Sequence, residues 1–180
     1  MTGERELTTD ETHLAFAPMR ELRPHLASVE EFVERVNGAQ RPEGYRLVGS
    51  FATAGAGEPV AVTGFRRLHT LAWGDELYID DLVTVETHRG RGHAHRLLEW
   101  VLAEARRLGC AQIHLDSAPF RHDAHRRYLN EGFHISSFHF SRVLTVPRGE
   151  GRRLVDDVLN REDHARFVEG LSGDDDLATT

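Results

Sequence analysis

The sequence predicts an α/β domain, a mixed β-sheet flanked by helices, followed by a helical C-terminal extension. Three observations carry this. Residues 45–53 (YRLVGSFAT) and 60–68 (VAVTGFRRL) are strand-like and are separated by the turn-forming AGAGEP, so they make a hairpin. LYIDDLVTV (77–85) leads into the clearest helix of the chain and then into AQIHLDS (111–117). Strand, helix and strand at this spacing make a βαβ unit with a parallel pair. After Pro147 the character changes, and Leu154, Val155, Val158, Leu159, Phe167, Val168 and Leu171 recur at helical spacing.

The elements follow in order. Residues 1–12 read as a flexible polar lead-in and LAFAP (14–18) as a short strand. Residues 19–38 read as one or two helices broken near Pro24. Ser28 with Glu31 gives the capping-box pattern, Phe32, Val33 and Val36 give an apolar face, and Asn37-Gly38 stops the helix. HTLAWGDE (69–76) reads as a loop. In the strong helix, Ala94, Leu97, Leu98, Val101, Leu102, Ala105 and Leu108 repeat at spacings of three and one, a single stripe of a 3.6-residue period. Arg106 and Arg107 suit the last turn, and Gly109 suits the stop. RHDAHRRYLNE (121–131) is a short helix ended by Gly132, and FHISSFHFSRVL (133–144) is a long final strand. GDDDLATT is an acidic tail with too little apolar surface to order itself.

Composition narrows the class. A chain of 180 residues, 39% hydrophobic and 28% charged, suits one globular domain with a full core. No run approaches the roughly 18 apolar residues of a membrane span. The N-terminal residues lack an apolar signal region, so a cytoplasmic protein is expected. Cys110 is the sole cysteine, which leaves no disulfide framework and no cysteine-based zinc site. A formal net charge of −7 argues against general nucleic-acid binding, although all 22 Lys+Arg residues are arginine.

The stretch HRGRGHAH (88–95) lies between a strand and the start of the strong helix. Backbone N–H groups at a helix N-terminus favour anions, and Gly90 and Gly92 let backbone approach a ligand closely. A dinucleotide-binding loop would need glycine at position 95, which is His95, and a Walker loop needs a lysine. His88, His93 and His95 lack a partner carboxylate at a recognisable metal-ligand spacing, so no metal is expected. A phosphate cradle is the reading favoured here, and a plain strand–helix connection is the alternative.

Arg89-Gly90-Arg91-Gly92-His93-Ala94 matches the R/Q-x-x-G-x-G/A signature of the GCN5-related N-acetyltransferases, and LVTVETHRGRGHAHRLL resembles that family's strand–loop–helix motif. Ala124, Tyr128, Gly132 and Phe133 resemble its A-x-x-x-Y-x-x-x-G-F helix. The resemblance covers about residues 12 to 145. It implies a strongly twisted mixed sheet over an acetyltransferase domain at 13–146; the helical extension at 147–172 and the disordered tail at 173–180 are read from the residues themselves. It implies that acetyl-CoA is bound by backbone amides of the loop, Arg89, Gly90, Arg91, Gly92, His93 and Ala94. It also implies that the third strand, at Leu82, Val83 and Thr84, pairs with the pantetheine arm and donates to the developing oxyanion. Arg121 stands where the family often has asparagine, and the family's usual last pair of strands is represented by one.

Acetyl transfer needs a neutral amine, an oxyanion donor and a proton for the departing thiolate. The resemblance makes Tyr128 the acid, against the simpler reading of a core tyrosine. It offers two bases: Asp80, in a segment like that of polyamine-type relatives, and Asp116, placed as in ribosomal-protein-type relatives. A water relay is the third option. Strand alternation would turn Asp80 and Asp81 to opposite sides. Cys110 follows a helix C-terminus, whose dipole disfavours a thiolate, so direct attack in a ternary complex is expected. His122 and His125 read as polar rim residues. The expected activity is transfer of acetyl to a primary amine, and Asp75, Glu76, Asp80 and Asp81 favour a small cationic molecule. The alternatives are a protein N-terminal or lysine acetyltransferase, and a non-catalytic acyl-CoA-binding module. The apolar residues after Pro147 would pack on the main domain or on a second copy, giving a homodimer.

Overall fold

The computed structural model describes residues 3–53 and 57–142. Five strands form one sheet in the order β1-β2-β3-β4-β5. They are β1 (Glu4–Glu6), β2 (Arg46–Ser50), β3 (Ala61–Thr70), β4 (Gly74–Thr84) and β5 (Gln112–Leu115). The first four are antiparallel in succession, and β5 lies parallel to β4 after the crossover through α3 (His93–Leu108). This is the mixed sheet that the hairpin and the βαβ unit predict. The chain divides into two compact units after Asp116. The first holds the whole sheet. The described part of the second holds α4 (His122–Asn130).

Both faces of the sheet are covered. α1 (Phe16–Leu22) and α2 (Val29–Arg35) close one face over a core of Leu7, Met19, Phe32, Val36, Leu47, Val62 and Val83. α3 packs across β2, β3 and β4 on the other. Its buried stripe is Leu97, Leu98, Val101 and Ala105, and the Trp100 ring meets Phe65 at 5.9 Å. Fully burying a leucine is worth about 1.5–3 kcal/mol, so this stripe holds the helix more firmly than its intrinsic propensity does. Gly109, at φ 73°, ends α3 where expected.

Several sequence expectations are corrected. The lead-in expected over residues 1–12 enters the sheet: β1 pairs with β2, and Leu7 is fully buried. LAFAP is helical. A 3-10 helix runs over Thr9–Ala15 into α1, started by a capping box between Thr8 and Glu11. Asn37-Gly38 does not stop the second helix, which continues as a π turn (Val36–Gln40) and a 3-10 turn (Arg41–Glu43) to Gly44 at φ 87°. Asn37 Oδ1 instead accepts from Thr12 Oγ1, 25 positions away, at 2.8 Å and from Arg41 Nε within the turn at 3.1 Å. HTLAWGDE is mostly strand, since β3 and β4 extend to a tight turn at Leu71–Trp73. The described part of the predicted final strand, residues 133–142, carries no strand pairing. The predicted extension and tail lie outside the described residues.

One irregularity places the functional residues. Gly64 pairs with Asp81 while Phe65 pairs with Ile79, so Asp80 is an extra residue on β4. Such a bulge breaks the two-residue alternation. Gly64 and Arg66 share a face, and their partners Asp81 and Tyr78 share it too, with Asp80 between them. The sequence expectation that Asp80 and Asp81 face opposite sides is therefore corrected. Beside the bulge, the Tyr45 side chain crosses β3 at Gly64, where a Cβ would lie 1.8 Å from the Tyr45 hydroxyl oxygen.

Candidate active site

Two backbone features meet at the C-terminal end of β4. The first is the loop. After Thr84 come a 3-10 turn (Glu86–His88), Arg89, Gly90 at φ 75°, Arg91, and Gly92 at φ 82° as the N-cap of α3. Gly92 brings no side-chain cap, and the helical ladder begins with Arg96 N–H to the Gly92 carbonyl. The N–H groups ahead of it belong to an open helix end, where the dipole favours an anion. Gly90 has open space where a Cβ would stand. Glu21 of α1 holds the loop from one side: it accepts from Glu86 N–H at 3.0 Å and pairs with Arg89 at 3.4 Å. Arg89 Nε also donates to the Thr84 carbonyl at 3.2 Å, tying the loop to the strand end. The donor set, backbone N–H groups of a helix end without a side-chain cap beside Arg89 and Arg91, fits a pyrophosphate.

The second feature is an open strand edge. β5 pairs with Glu76–Ile79 of β4. From Asp80 to Thr84, β4 has no strand partner on that side among the described residues. Leu82, Val83 and Thr84 lie on this stretch, with the Thr84 carbonyl already taken by Arg89.

The carboxylates gather on the face shared by Tyr78 and Asp81. Asp81 is a structural group: Arg23 donates to its Oδ1 at 2.8 and 3.0 Å, and the buried Tyr45 donates to Oδ2 at 2.8 Å. Burial, then the Asp81 charge, holds the Tyr45 hydroxyl far above the ordinary range. Asp80 accepts from Arg66 Nε at 3.0 Å, and Arg66 reaches Glu43 at 3.3 Å and lies over the Tyr45 ring. Burial raises the Asp80 carboxyl despite that guanidinium. Tyr78 donates to Asp116 Oδ2 at 2.5 Å, and burial, then Asp116, pushes the Tyr78 hydroxyl up. Glu76, buried beside them, lies 3.1 Å from His114 Nε2. The structure thus brings Asp80, Tyr78 and Asp116 to one face and commits Asp81 to the fold. Tyr78, Arg66 and Glu76 were not singled out as one group from the sequence, although Glu76, Tyr78 and Asp80 stand at alternate positions, a signal that could have found them.

His93 differs from its neighbours in the loop. Its side chain is 5% exposed and turned under the helix, so it offers the loop its backbone alone. In the second unit, Tyr128 lies on α4 with its ring 5.9 Å from Phe133. Burial raises its hydroxyl, and among the described residues that hydroxyl has no hydrogen-bond partner. Arg121 is the N-cap of α4, with its guanidinium over Phe120. Burial pushes the Cys110 thiol up, which gives no support to a thiolate nucleophile.

Comparison with known proteins places this architecture. The model of the Acetyltransferase (GNAT) family matches residues 10–133. The chain is 31% identical over 146 residues to "Uncharacterized N-acetyltransferase YhdJ" of Bacillus subtilis, covering 80% of this chain and 100% of the relative. It is 38% identical over 78 residues to an aminoalkylphosphonate N-acetyltransferase of Salmonella typhimurium, covering 43% of this chain and 49% of that one. Among solved structures, a ribosomal-protein-alanine N-acetyltransferase of Brucella melitensis superposes with a TM-score of 0.64 at 15% identity, over 79% of this chain and 98% of that one. A structure described as a transcriptional regulator of Bacillus halodurans gives 0.68 at 20% identity, over 80% and 100%. The chain belongs to the GNAT family and is an acetyltransferase.

Proposed function

We propose that this acetyltransferase transfers acetyl from acetyl-CoA to the primary amine of a small cationic molecule, by direct attack in a ternary complex. The observation that carries the reading is the carboxylate row of Glu76, Asp80 and Asp116 beside the stretch of β4 that, among the described residues, extends past β5. Arg66 faces the same row but is held by Asp80 and Glu43, so the face keeps an acidic balance. The names of the two relatives support an amine as acceptor.

Acetyl-CoA supplies the activated acetyl group as a thioester. The loop from Arg89 to Ala94 holds its pyrophosphate through backbone N–H groups, and the Leu82–Thr84 edge aligns the pantetheine arm. An ammonium drawn to the acidic face must lose a proton before it attacks. Asp80 suits that task, because burial raises its proton affinity toward working pH. Asp116, fixed by Tyr78, holds the cation nearby. Tyr128 returns a proton to the departing thiolate.

The test is calorimetric titration with acetyl-CoA, followed by free-thiol release on adding primary amines. Binding together with amine-dependent release supports the reading. Binding without release across a broad amine panel would leave a non-catalytic acyl-CoA-binding module, and absence of binding would overturn the cradle.

A further inference from the structure

Beneath the loop, the buried Glu4, Ser50 and His93 meet the half-buried Arg96 in a polar set that the proposed catalysis does not use. The Glu4 side chain, on β1, is 2% exposed. Its Oε1 accepts from Ser50 Oγ at 2.7 Å and from Arg96 Nε at 2.8 Å. Arg96 Nη2 lies 2.8 Å from His93 Nδ1, and Ser50 Oγ lies 2.9 Å from the same nitrogen. Arg96 Nη1 donates to the Arg91 carbonyl at 3.2 Å, inside the loop. All three guanidinium nitrogens are thus committed. An arginine cannot accept, so His93 meets it with a lone pair and is neutral, in keeping with the burial and the Arg96 charge that lower its pKa.

This arrangement raises a question of sign. A cation in the first turn of α3 could be a direct phosphate ligand. Its charge, however, is matched by a buried carboxylate, and its donors point at Glu4, His93 and a loop carbonyl. The geometry points to Arg96 and Glu4 as positioning residues: together they clamp the Arg91 carbonyl and so fix the backbone of the pyrophosphate loop from below. The assignment rests on the acetyl-CoA reading of that loop. It makes the N-terminal strand part of the cofactor site, since β1 supplies the carboxylate that orients the clamp. Gly92 fits the same picture, because a Cβ there would come within 3.2 Å of Arg96 Nη1.

Charge and positioning make opposite demands on Glu4. If charge alone mattered, removing a carboxylate near a polyanion would tighten binding. If Glu4 positions the loop, removing it weakens binding. The experiment is calorimetric titration of wild type, Glu4→Ala, Arg96→Ala and the double variant with acetyl-CoA, alongside steady-state kinetics and thermal melts. Each single variant should bind about tenfold more weakly, and the double variant no more weakly than either, because both act through one clamp. The Michaelis constant for acetyl-CoA should rise while turnover at saturation stays within about twofold. Glu4→Gln, which keeps an acceptor, should recover part of the loss. If Glu4→Ala does not fold, Glu4→Gln and Arg96→Lys must both bind more weakly than wild type. Tighter or unchanged binding by a folded Glu4 variant, or additive losses, would overturn the clamp. Failure of wild type to bind acetyl-CoA would instead overturn the reading of the loop itself.

Discussion

Asp80 and Asp81 are neighbours in sequence with different tasks, and the division comes from their partners. Asp81 is enclosed by Arg23 and Tyr45, whereas Asp80 keeps one bond to Arg66 and has a raised carboxyl. Asp80→Asn preserves shape and removes the carboxylate proposed as the base. Turnover should fall at pH 7 and fall less at pH 9, since a primary amine with a pKa near about 10 is then more often neutral. Pre-steady-state or steady-state rates at the two pH values check this, with Asp116→Asn as the comparison; a pH-dependent loss confined to Asp116→Asn would move the base there. Tyr128→Phe should lower turnover by roughly 10² to 10⁴-fold with little change in acetyl-CoA affinity, the usual span for a general acid. Wild-type turnover in that variant would make Tyr128 a packing residue. At this scale the sequence marked the aspartates but not their division. That division depends on Tyr45 and Arg23, which lie 36 and 58 positions from Asp81 and reach it only through the fold.

At the scale of elements, what was legible was local. α3 follows from a stripe repeated over four turns with a glycine at its end, and β2, β3 and β4 follow from apolar runs punctuated by turns. What was not legible rests on long-range contacts. β1 is three charged residues, recognisable as a strand once β2 is beside it. The bulge at Asp80 sits where Tyr45 lies over Gly64, a contact from the residue preceding β2. Gly64→Ala should therefore cost roughly 1–3 kcal/mol from overpacking, read from a urea unfolding midpoint, and should displace Tyr45 from Asp81. A midpoint equal to wild type would mean that Tyr45 has room to move aside. In the loop, Gly92→Glu brings a side chain strained at φ 82° and a negative charge to the open end of α3. Acetyl-CoA binding should be lost while the variant still folds, at a melting temperature lowered by the backbone strain. Unchanged affinity in a folded variant would rule out the cradle.

Across the whole molecule, charge is arranged in two ways. Structural pairs lock the sheet to its helices: Arg46 bridges Glu6 and the buried Glu104, and Arg107 also holds Glu104. These guanidinium bonds lower the Glu104 carboxyl to about 2 from an ordinary 4.5, and Arg5 does the same for Glu11. A depressed carboxyl contributes stability that is complete above its unfolded value and is lost as pH falls through the folded one. Stability should therefore decline between about pH 4.5 and pH 2, and Glu104→Gln should flatten that decline while lowering stability at pH 7 by about 2 kcal/mol. Urea midpoints across that range would show it. The second arrangement is the acidic face beside the β4 edge, the feature on which the choice of acceptor rests. Its most direct test compares kcat/KM for acetyl transfer to three amines of similar length, namely propane-1,3-diamine, propylamine and β-alanine, at low and high salt. The diamine should lead propylamine by at least about tenfold at low salt, with β-alanine last and the spread narrowing as salt screens the carboxylates. A preference for the anionic amine, or equal rates for all three, would contradict a cationic acceptor.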